Sequence, residues 1–396
     1  MSNATGPLGP IDRRGFMRVM GAAGSALGLS AAVAACGSSS SNSSASGGGG
    51  GSGGGWSSIT ELSAESGPDF IGAPIYIAQA LDYFRDEGLT VTTQYPGSTP
   101  KTVQLMLVGR GQVALPDPAA IISAASRGQR IKSLWTYGKG SFFGFAVIDR
   151  SPIQQWDRAS IDGATIGISD ASGGEVPLLR GALSMIGLAE GDGVTLQPVG
   201  GGTAEAADAL ESGKVDVVAG SYPDFYSLQA RGVRLRLITP TEIEQFPRNS
   251  VAVKASDYDE HREDLTGYTR ALTKAMVFMR ANPRATAQLV KRYAPENTDG
   301  IDVPTIATVL LGRLLIPGLD SYFDRGSPDF HKVGMQDSAG WDTYMRFLVE
   351  GGVESDGIKL NREVPVNEIV DNGLIDAAND FDYAEIEREA KAYRAT

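Results

Sequence analysis

Cysteine, histidine and positive charge are all scarce in this sequence of 396 residues, which has one cysteine and two histidines. A single thiol excludes an internal disulfide, and so small a set of thiols and imidazoles argues against a metal site or Cys-based catalysis in the folded part. The 47 Asp and Glu residues outnumber the 35 Lys and Arg residues, giving a formal net charge of -12. Because nucleic acid binding needs clustered Lys and Arg, we expect no nucleic acid partner.

A long apolar run is also missing from the N-terminus, where only a mild stretch of Ala and Gly runs from Gly21 to Ala35. This stretch is too short to remain in a bilayer as a span. It follows the pair Arg13-Arg14, and basic residues before a short apolar run are typical of an export signal. We predict that residues 1–35 are a signal peptide of the twin-arginine type, with a general-secretion signal as the alternative.

The lone cysteine lies directly after this stretch, in Val33-Ala34-Ala35-Cys36. The motif resembles the lipobox at which bacterial lipoproteins are diacylated and cleaved. The residues that follow are almost all Ser and Gly, a composition that cannot bury enough apolar surface to fold. Residues 36–56 are therefore predicted to be a lipidated Cys36 and a flexible linker, so that the protein is extracytoplasmic and attached to the cell membrane by acyl chains. A free or buried thiol is the alternative.

From Ser57 onward, short β-rich runs alternate with amphipathic helical stretches, which predicts an α/β fold of mostly parallel sheets covered by helices. One predicted helix spans Pro74–Arg85, and a later one spans Tyr268–Asn282. The predicted strands fall into two series: Ile59–Ala64, Thr90–Tyr95, Val113–Leu115 and Ile131–Tyr137, then Thr165–Ser169, Thr195–Pro198, Val215–Ala219 and Leu235–Ile238.

The two series follow one plan. Gly111-Gln112-Val113-Ala114 and Gly213-Lys214-Val215-Asp216 each lead through a Pro/Asp turn and a helix to an Arg-Gly pair, at Arg127 and Arg231. An internal repeat of about the length of a domain predicts two lobes of similar topology. We assign residues 57–148 to the first lobe, 149–248 to the second, and 249–396 to a return into the first lobe with C-terminal helices.

Several motifs of this body resemble those of one family. Ala73-Pro74-Ile75-Tyr76-Ile77-Ala78-Gln79, Tyr83-Phe84-Arg85-Asp86-Glu87-Gly88-Leu89 and two shorter blocks (Ser212-Gly213-Lys214-Val215-Asp216 and Ala281-Asn282-Pro283) are similar to the solute-binding proteins for alkanesulfonates, taurine, nitrate-type anions and thiamine-pyrimidine precursors. The resemblance implies a two-lobed, periplasmic-binding-protein-like (Venus flytrap) fold that closes over a small-molecule ligand.

The same resemblance implies delivery to an ABC importer, with a permease and an ATPase as partners and with no cofactor, no metal and no catalytic residue. An enzyme of the same fold and a ligand-sensing lobe of a membrane receptor are the alternative functions. The enzymatic branch of the family, which uses a His and a Cys-rich segment, lacks support because the N-terminal lobe contains neither.

Candidate ligand-binding residues follow the predicted strands, because ligands of open α/β sheets bind at the carboxyl ends of the strands. Ser98 has a helix N-cap as its alternative role, and the aromatic residues can equally be core. The candidates are Ser66, Asp69, Phe70, Tyr76, Ser98, Asp117, Tyr137, Ser169, Ser172, Gly173, Gly174, Glu175, Tyr222 and Asp224.

Glu175 bears on the charge of the ligand. It begins a helix after the loop from Ser169, where free backbone N–H groups would otherwise attract an anion. A carboxylate there repels a sulfonate, so a nitrogen heteroaromatic such as a thiamine-pyrimidine precursor is favoured over an aliphatic sulfonate. The alternative is a first-turn carboxylate that points to solvent.

Overall fold

The computed structural model describes residues 55–65, 67–138, 140–312, 320–351, 354–355, 358–360 and 363–394. The fold below belongs to the unit Gly53–Thr396. The predicted signal peptide, Cys36 and Ser66 lie outside the described residues, so the predictions for them stay predictions.

Thirteen strands lie in the described part of the chain, and eleven of them form two sheets. They are β1 (Ser58–Ser63), β2 (Thr90–Gln94), β3 (Val113–Leu115), β4 (Ile131–Thr136), β5 (Phe143–Ile148), β6 (Thr165–Ile168), β7 (Ala189–Glu190), β8 (Gly193–Pro198), β9 (Val217–Ser221), β10 (Leu235–Leu237), β11 (Ser250–Lys254), β12 (Glu354–Ser355) and β13 (Ile358–Lys359). The last two make a short antiparallel pair.

The two large sheets share one topology. The first has the order β2-β1-β3-β11-β4, and the second has the order β10-β5-β9-β6-β8-β7. Reading the second in reverse, from β8 to β10, matches the first strand for strand: a parallel trio, one antiparallel strand and a final edge strand. This correspondence confirms the α/β class and explains the internal echo in the sequence. We call the sheet containing β1 and its helices the first lobe, and the sheet containing β6 and its helices the second lobe.

The antiparallel strand of each sheet comes from the chain's passage between lobes. The chain leaves the first sheet after β4 and enters the second at β5, then returns after β10 to enter the first at β11. The boundary predicted after residue 148 gave β5 to the first lobe, whereas β5 pairs with β9 and β10 of the second. An apolar run of this kind fits either sheet, so its sequence did not reveal its partners.

Sixteen α-helices cover these sheets in the described residues. They are α1 (Ala73–Ala80), α2 (Tyr83–Asp86), α3 (Thr99–Leu107), α4 (Pro118–Ser126), α5 (Arg158–Ile161), α6 (Glu175–Met185), α7 (Ala204–Glu211), α8 (Tyr222–Ala230), α9 (Ala255–Glu260), α10 (Arg262–Ala281), α11 (Pro283–Tyr293), α12 (Val303–Gly312), α13 (Ser338–Glu350), α14 (Val366–Ile369), α15 (Ile375–Ala378) and α16 (Tyr383–Ala392). Short 3₁₀ turns lie at Ile243–Gln245, Glu296–Thr298 and Asp320–Tyr322.

Local chemistry fixes several helix starts that position the cleft. Asp117 accepts hydrogen bonds from the first-turn N–H groups of α4, and Ser221 and Asp224 form a reciprocal capping box at α8. Such caps satisfy N–H groups that have no partner within the helix. The helix predicted over Pro74–Arg85 is instead split into α1 and α2, because Asp82 adopts a left-handed conformation with φ of 59°.

Helix α13, in the C-terminal segment of the chain, packs against helices of both lobes. It contacts α4 of the first lobe and α6 of the second. Its Trp341 is buried, and its Tyr344 and Phe347 rings lie 4.9 and 4.8 Å from the ring of Phe246. Part of the segment predicted to return to the first lobe therefore touches both lobes. In the part of the chain that the structure describes, no helix has the length and apolar character needed to span a bilayer.

Candidate functional site

A cleft of about 480 Å³ lies between the two sheets, at the edge where the parallel strands end. This volume is in the range of small-molecule binding sites. Loops after β1, β2, β6, β8 and β9 line it, together with residues just before the antiparallel strands β5 and β11. Both lobes therefore present the same structural edge to the cleft, as the common topology requires.

Glu175 lies on the cleft wall at the start of α6, and its side chain is 3% exposed. Its Oε1 atom accepts hydrogen bonds from the Ser169 backbone N–H at 2.7 Å and the Ser169 hydroxyl at 2.6 Å. A Cβ atom at Gly173 would lie 2.5 Å from this carboxyl group, so glycine is needed there. No other residue in the described part of the chain donates to Oε2. The solvent-facing alternative for Glu175 is therefore wrong.

Three further carboxylates line the same cleft: Glu65 and Asp69 from the first lobe and Asp224 from the second. Each is held by local donors. The Ser63 hydroxyl donates to Glu65 Oε2 at 2.6 Å, and the backbone N–H groups of Ile71 and Gly72 donate to Asp69 Oδ1. These bonds use one oxygen of each carboxylate. The other oxygen, Glu65 Oε1 or Asp69 Oδ2, receives no hydrogen bond from another described residue.

Both carboxylate oxygens of Asp224 accept hydrogen bonds from neighbouring residues. Its Oδ1 atom accepts from the Gly202 N–H at 2.9 Å, and its Oδ2 atom accepts from the Ser221 N–H and hydroxyl at 2.9 and 2.6 Å. The residue therefore ties the loop after β8 to the start of α8. Its negative charge still acts on the cleft through space.

Burial raises the pKa of all four carboxyl groups, and repulsion from neighbouring carboxylates adds to the rise for Glu65, Asp69 and Glu175. Burial raises the pKa of Glu175 from 4.5 to about 7, against the lowering effect of the Ser169 hydrogen bonds and with a further rise from Asp224. Burial also raises the pKa of Glu65 and of Asp69, and repulsion between these two groups adds to the rise for Asp69. The pKa of Asp224 is raised by burial. The ionised forms of these groups are thus disfavoured in the empty cleft, and a cation or an N–H donor would stabilise them.

Cations contribute little to this wall. Among the described lining residues the only basic side chain is Arg231, an exposed residue whose Nε donates to the Gly202 carbonyl at 3.2 Å. The buried Arg248 lies behind the wall and donates to the carbonyls of Gly140 and Ser141 at 3.2 and 3.4 Å. Among the ion pairs of the described residues, none joins Arg231 to a cleft carboxylate.

Three phenylalanines are the aromatic residues of the cleft lining: Phe70, Phe142 and Phe143. The rings of Phe142 and Phe143 meet edge to face, with 5.2 Å between their centroids. Faces of this kind suit a planar, aromatic ligand body. Sequence reasoning selected Phe70 but missed the other two, although both lie next to the start of a strand.

Nine predicted site residues meet at this cleft, and their binding role remains a prediction. They are Asp69, Phe70, Ser98, Ser169, Ser172, Gly173, Gly174, Glu175 and Asp224. Ser98 also occupies the N-cap position of α3, as its alternative role predicted, although its side chain makes no capping hydrogen bond. The Ser172 hydroxyl donates to Asp170 at 2.6 Å.

Four predicted site residues do not line the cleft. Tyr76 stacks on Tyr293 with 5.1 Å between ring centroids, and its hydroxyl accepts from the Asp69 N–H. Tyr222 and Tyr137 are buried in the cores of the second and first lobes. Asp117 caps α4. Each follows a strand or begins a helix, but its side chain points into the protein, and residue type at a strand end does not reveal that direction.

Residues that sequence reasoning missed include Glu65, Asn249 and the run Gly201-Gly202-Thr203 after β8. The glycines and the Thr203 cap of α7 were a usable signal, because a Gly-rich turn between a strand and a helix is typical of cleft loops. Asn249 carried no such signal.

In the described residues, no group of three or more His, Cys, Asp or Glu side chains is arranged to hold a metal ion.

Comparison with known proteins places these features in context. Residues 70–286, more than half of the chain, match the family model described as NMT1/THI5 like. The chain is 25% identical to the riboflavin-binding protein RibY of Chloroflexus aurantiacus over 58% of its own length and 64% of that protein. The alignment thus spans less than two thirds of that relative.

Two other matches have wider coverage. The formylaminopyrimidine-binding protein of Halalkalibacterium halodurans is 25% identical over 71% of this chain and 82% of the relative. The solved structure of the alkanesulfonate-binding protein SsuA from Xanthomonas axonopodis pv. citri has a TM-score of 0.59 and 14% identity, covering 80% of this chain and 99% of that one. At this identity the structural match supports the fold, and the two-lobed periplasmic-binding-protein-like architecture expected from the sequence is confirmed.

Proposed function

Since the chain belongs to the NMT1/THI5-like family, we propose that it is an extracytoplasmic solute-binding lipoprotein that captures a small nitrogenous molecule for an ABC importer. The preferred ligand is a nitrogen heteroaromatic with amino or ring N–H groups, such as a thiamine-pyrimidine precursor. An aliphatic sulfonate is the weaker alternative. A permease, an ATPase and the membrane are the expected partners.

The observation that carries this proposal is the cluster of four carboxylates around one cleft, with the buried Glu175 and the half-buried Asp224 on one side and the half-buried Glu65 and Asp69 on the other. An anion entering the cleft would meet this charge at low effective dielectric, where repulsion is strongest. A ligand that carries N–H groups offers charge-assisted hydrogen bonds instead. The phenylalanine faces add contact area for a flat ring.

Two curated relatives agree with this chemistry by name. One is a riboflavin-binding protein and the other a formylaminopyrimidine-binding protein, and both names describe nitrogen heteroaromatics. The structural match to an alkanesulfonate-binding protein reflects the shared fold. A common scaffold with different residues in the cleft is how one fold serves ligands of different charge.

A thermal-shift screen tests the proposed ligand class. We expect 4-amino-5-aminomethyl-2-methylpyrimidine, its N-formyl derivative or riboflavin to raise the melting temperature, since a ligand at about 100 times its Kd stabilises by about 2.7 kcal/mol. Taurine and nitrate should leave the melting temperature unchanged. A larger shift with taurine or nitrate than with every heteroaromatic would contradict the proposal. Mass spectrometry of the recovered ligand should find it chemically unaltered, as binding without catalysis requires.

Attachment to the membrane is tested by replacing Cys36 with Ser. The variant should move from the membrane fraction to the soluble extracytoplasmic fraction, because acyl chains on the thiol are the expected anchor. Ser44→Ala in the Ser/Gly linker is the matched control and should stay with the membrane. Membrane association of Cys36→Ser equal to that of the parent would rule out lipidation as the anchor.

A further inference from the structure

Asn249 lies on the cleft wall immediately before β11, where the chain returns from the second lobe to the first. The residue is 6% exposed, and its side-chain Oδ1 atom is buried without a hydrogen-bond partner in the described structure. A buried acceptor of this kind destabilises a protein unless something donates to it. The unpaired oxygen therefore points to a donor that arrives with a ligand.

The surrounding backbone holds Asn249 in place. The Thr136 hydroxyl donates to the Asn249 carbonyl at 3.0 Å, linking the residue to the end of β4. The preceding Arg248 bonds the carbonyls of Gly140 and Ser141, which belong to the first passage between the lobes. Arg248 is thus bonded to the other crossing segment, and the Asn249 backbone is bonded to the end of β4. A fixed position is what a specific contact needs, because little conformational freedom is lost on binding.

The position of Asn249 differs from that of the carboxylates in one respect. Glu65 and Asp69 belong to the loop after β1, and Glu175 and Asp224 belong to the first turns of α6 and α8 in the second lobe, whereas Asn249 lies on the chain segment that joins the lobes. Its neutral amide oxygen accepts a hydrogen bond without adding charge. The cleft therefore offers charged acceptors on its two walls and a neutral acceptor at the crossing.

We infer that Asn249 is a specificity-determining residue whose Oδ1 accepts a hydrogen bond from a second N–H group of the ligand, separate from the group that binds the carboxylates. This inference rests on the proposed function and narrows it. The ligand carries at least two donor groups, one for the carboxylate walls and one for the crossing. A molecule with a single donor leaves one buried acceptor unpaired and is rejected, as sites built on hydrogen bonds reject analogues that lack the donor.

Two near-isosteric variants test the inference: Asn249→Leu removes the acceptor and Asn249→Asp keeps it. The probe is 4-amino-5-aminomethyl-2-methylpyrimidine, measured by calorimetry. We expect Asn249→Leu to weaken its binding by roughly ten-fold or more, and Asn249→Asp to bind it at least as tightly as the parent. Weaker binding by both variants would show that the amide acts as a donor and would overturn the inference.

The unliganded variants provide a readout that does not depend on the probe. Removing a buried acceptor that has no partner should raise the melting temperature of Asn249→Leu or leave it level, while binding falls. A lower melting temperature would show that the amide makes a stabilising contact within the protein, and the inference would be wrong. If the parent binds no heteroaromatic, the proposed function fails, and the melting temperature still decides the state of the Asn249 oxygen.

Discussion

The melting temperature of the unliganded protein falls as the pH rises from about 5 to about 8. Burial raises the pKa of Glu175 and of Glu61, a buried residue of β1, from 4.5 to about 7. The raised pKa values of Glu65, Asp69 and Asp224 act in the same direction. Between the unfolded-state pKa of 4.5 and the folded-state pKa of about 7, the folded protein binds more protons than the unfolded chain. The stability that these protonated groups contribute below pH 4.5 is therefore lost as the pH rises through about 7. Glu61 and Glu175 each contribute on the order of 3 kcal/mol to this loss.

The expected fall is about 5 to 10 °C, measured by differential scanning calorimetry at several pH values. Other shifted carboxylates do not mask it: the hydrogen-bonded Asp157 and Asp302 have pKa values below their usual 3.8 and titrate under this window. The double variant Glu61→Gln, Glu175→Gln should flatten the slope. A melting temperature that rises over the window in the parent would show that these groups are ionised at little cost in the folded state.

The second large effect is on binding. Glu175→Gln should weaken the binding of an amine or aminopyrimidine by roughly ten-fold or more, because it removes a charged acceptor from a buried site. The Gln side chain still has an oxygen to accept from the backbone N–H and hydroxyl of Ser169, so the loop before α6 is retained. Parent binding should also tighten as the pH rises through about 7, the value near which Glu175 ionises.

Asp208→Asn is the control for net charge. Asp208 is an exposed residue of α7 and does not line the cleft, so the same change of charge there should alter binding by less than about two-fold, as expected for a screened surface charge. Calorimetry on both variants separates the local effect from the global one. Tighter binding of taurine by Glu175→Gln, with no loss for the aminopyrimidine, would place the ligand among anions.

Eight of the thirteen described strands were predicted, because each is a short β-rich run bounded by turn residues. The predicted Val113–Leu115 matches β3, and the other seven differ from the observed strands by one or two residues at one or both ends. The repeated Gly–Val and Arg-Gly motifs also predicted the common topology. The partner strands of β5 and of β11 were not predictable. Pairing between segments that are distant in the sequence depends on tertiary contacts, which no local pattern encodes.

The sequence predicted which loops line the cleft better than it predicted which side chains of those loops point into the cleft. Glu175 and Asp224 were identified from their place after strands, and both reach the cleft. Tyr76 and Tyr222 lie near the cleft loops in sequence, but their rings point into the cores of the two lobes. A bulky ring is more stable packed against apolar neighbours than exposed in the cleft. Asn249 escaped notice because its importance lies in a missing partner, which only the packed structure reveals.

The most direct test is a crystal structure of the protein with the heteroaromatic that gives the largest thermal shift. We expect a ligand nitrogen about 2.7–3.2 Å from Glu175 Oε2, with the ring against Phe70, Phe142 or Phe143. We also expect a second nitrogen at hydrogen-bond distance from Asn249 Oδ1. A ligand whose oxygens face a protonated Glu175, or an anion bound at the same place, would contradict the claim that this cleft selects N–H donors.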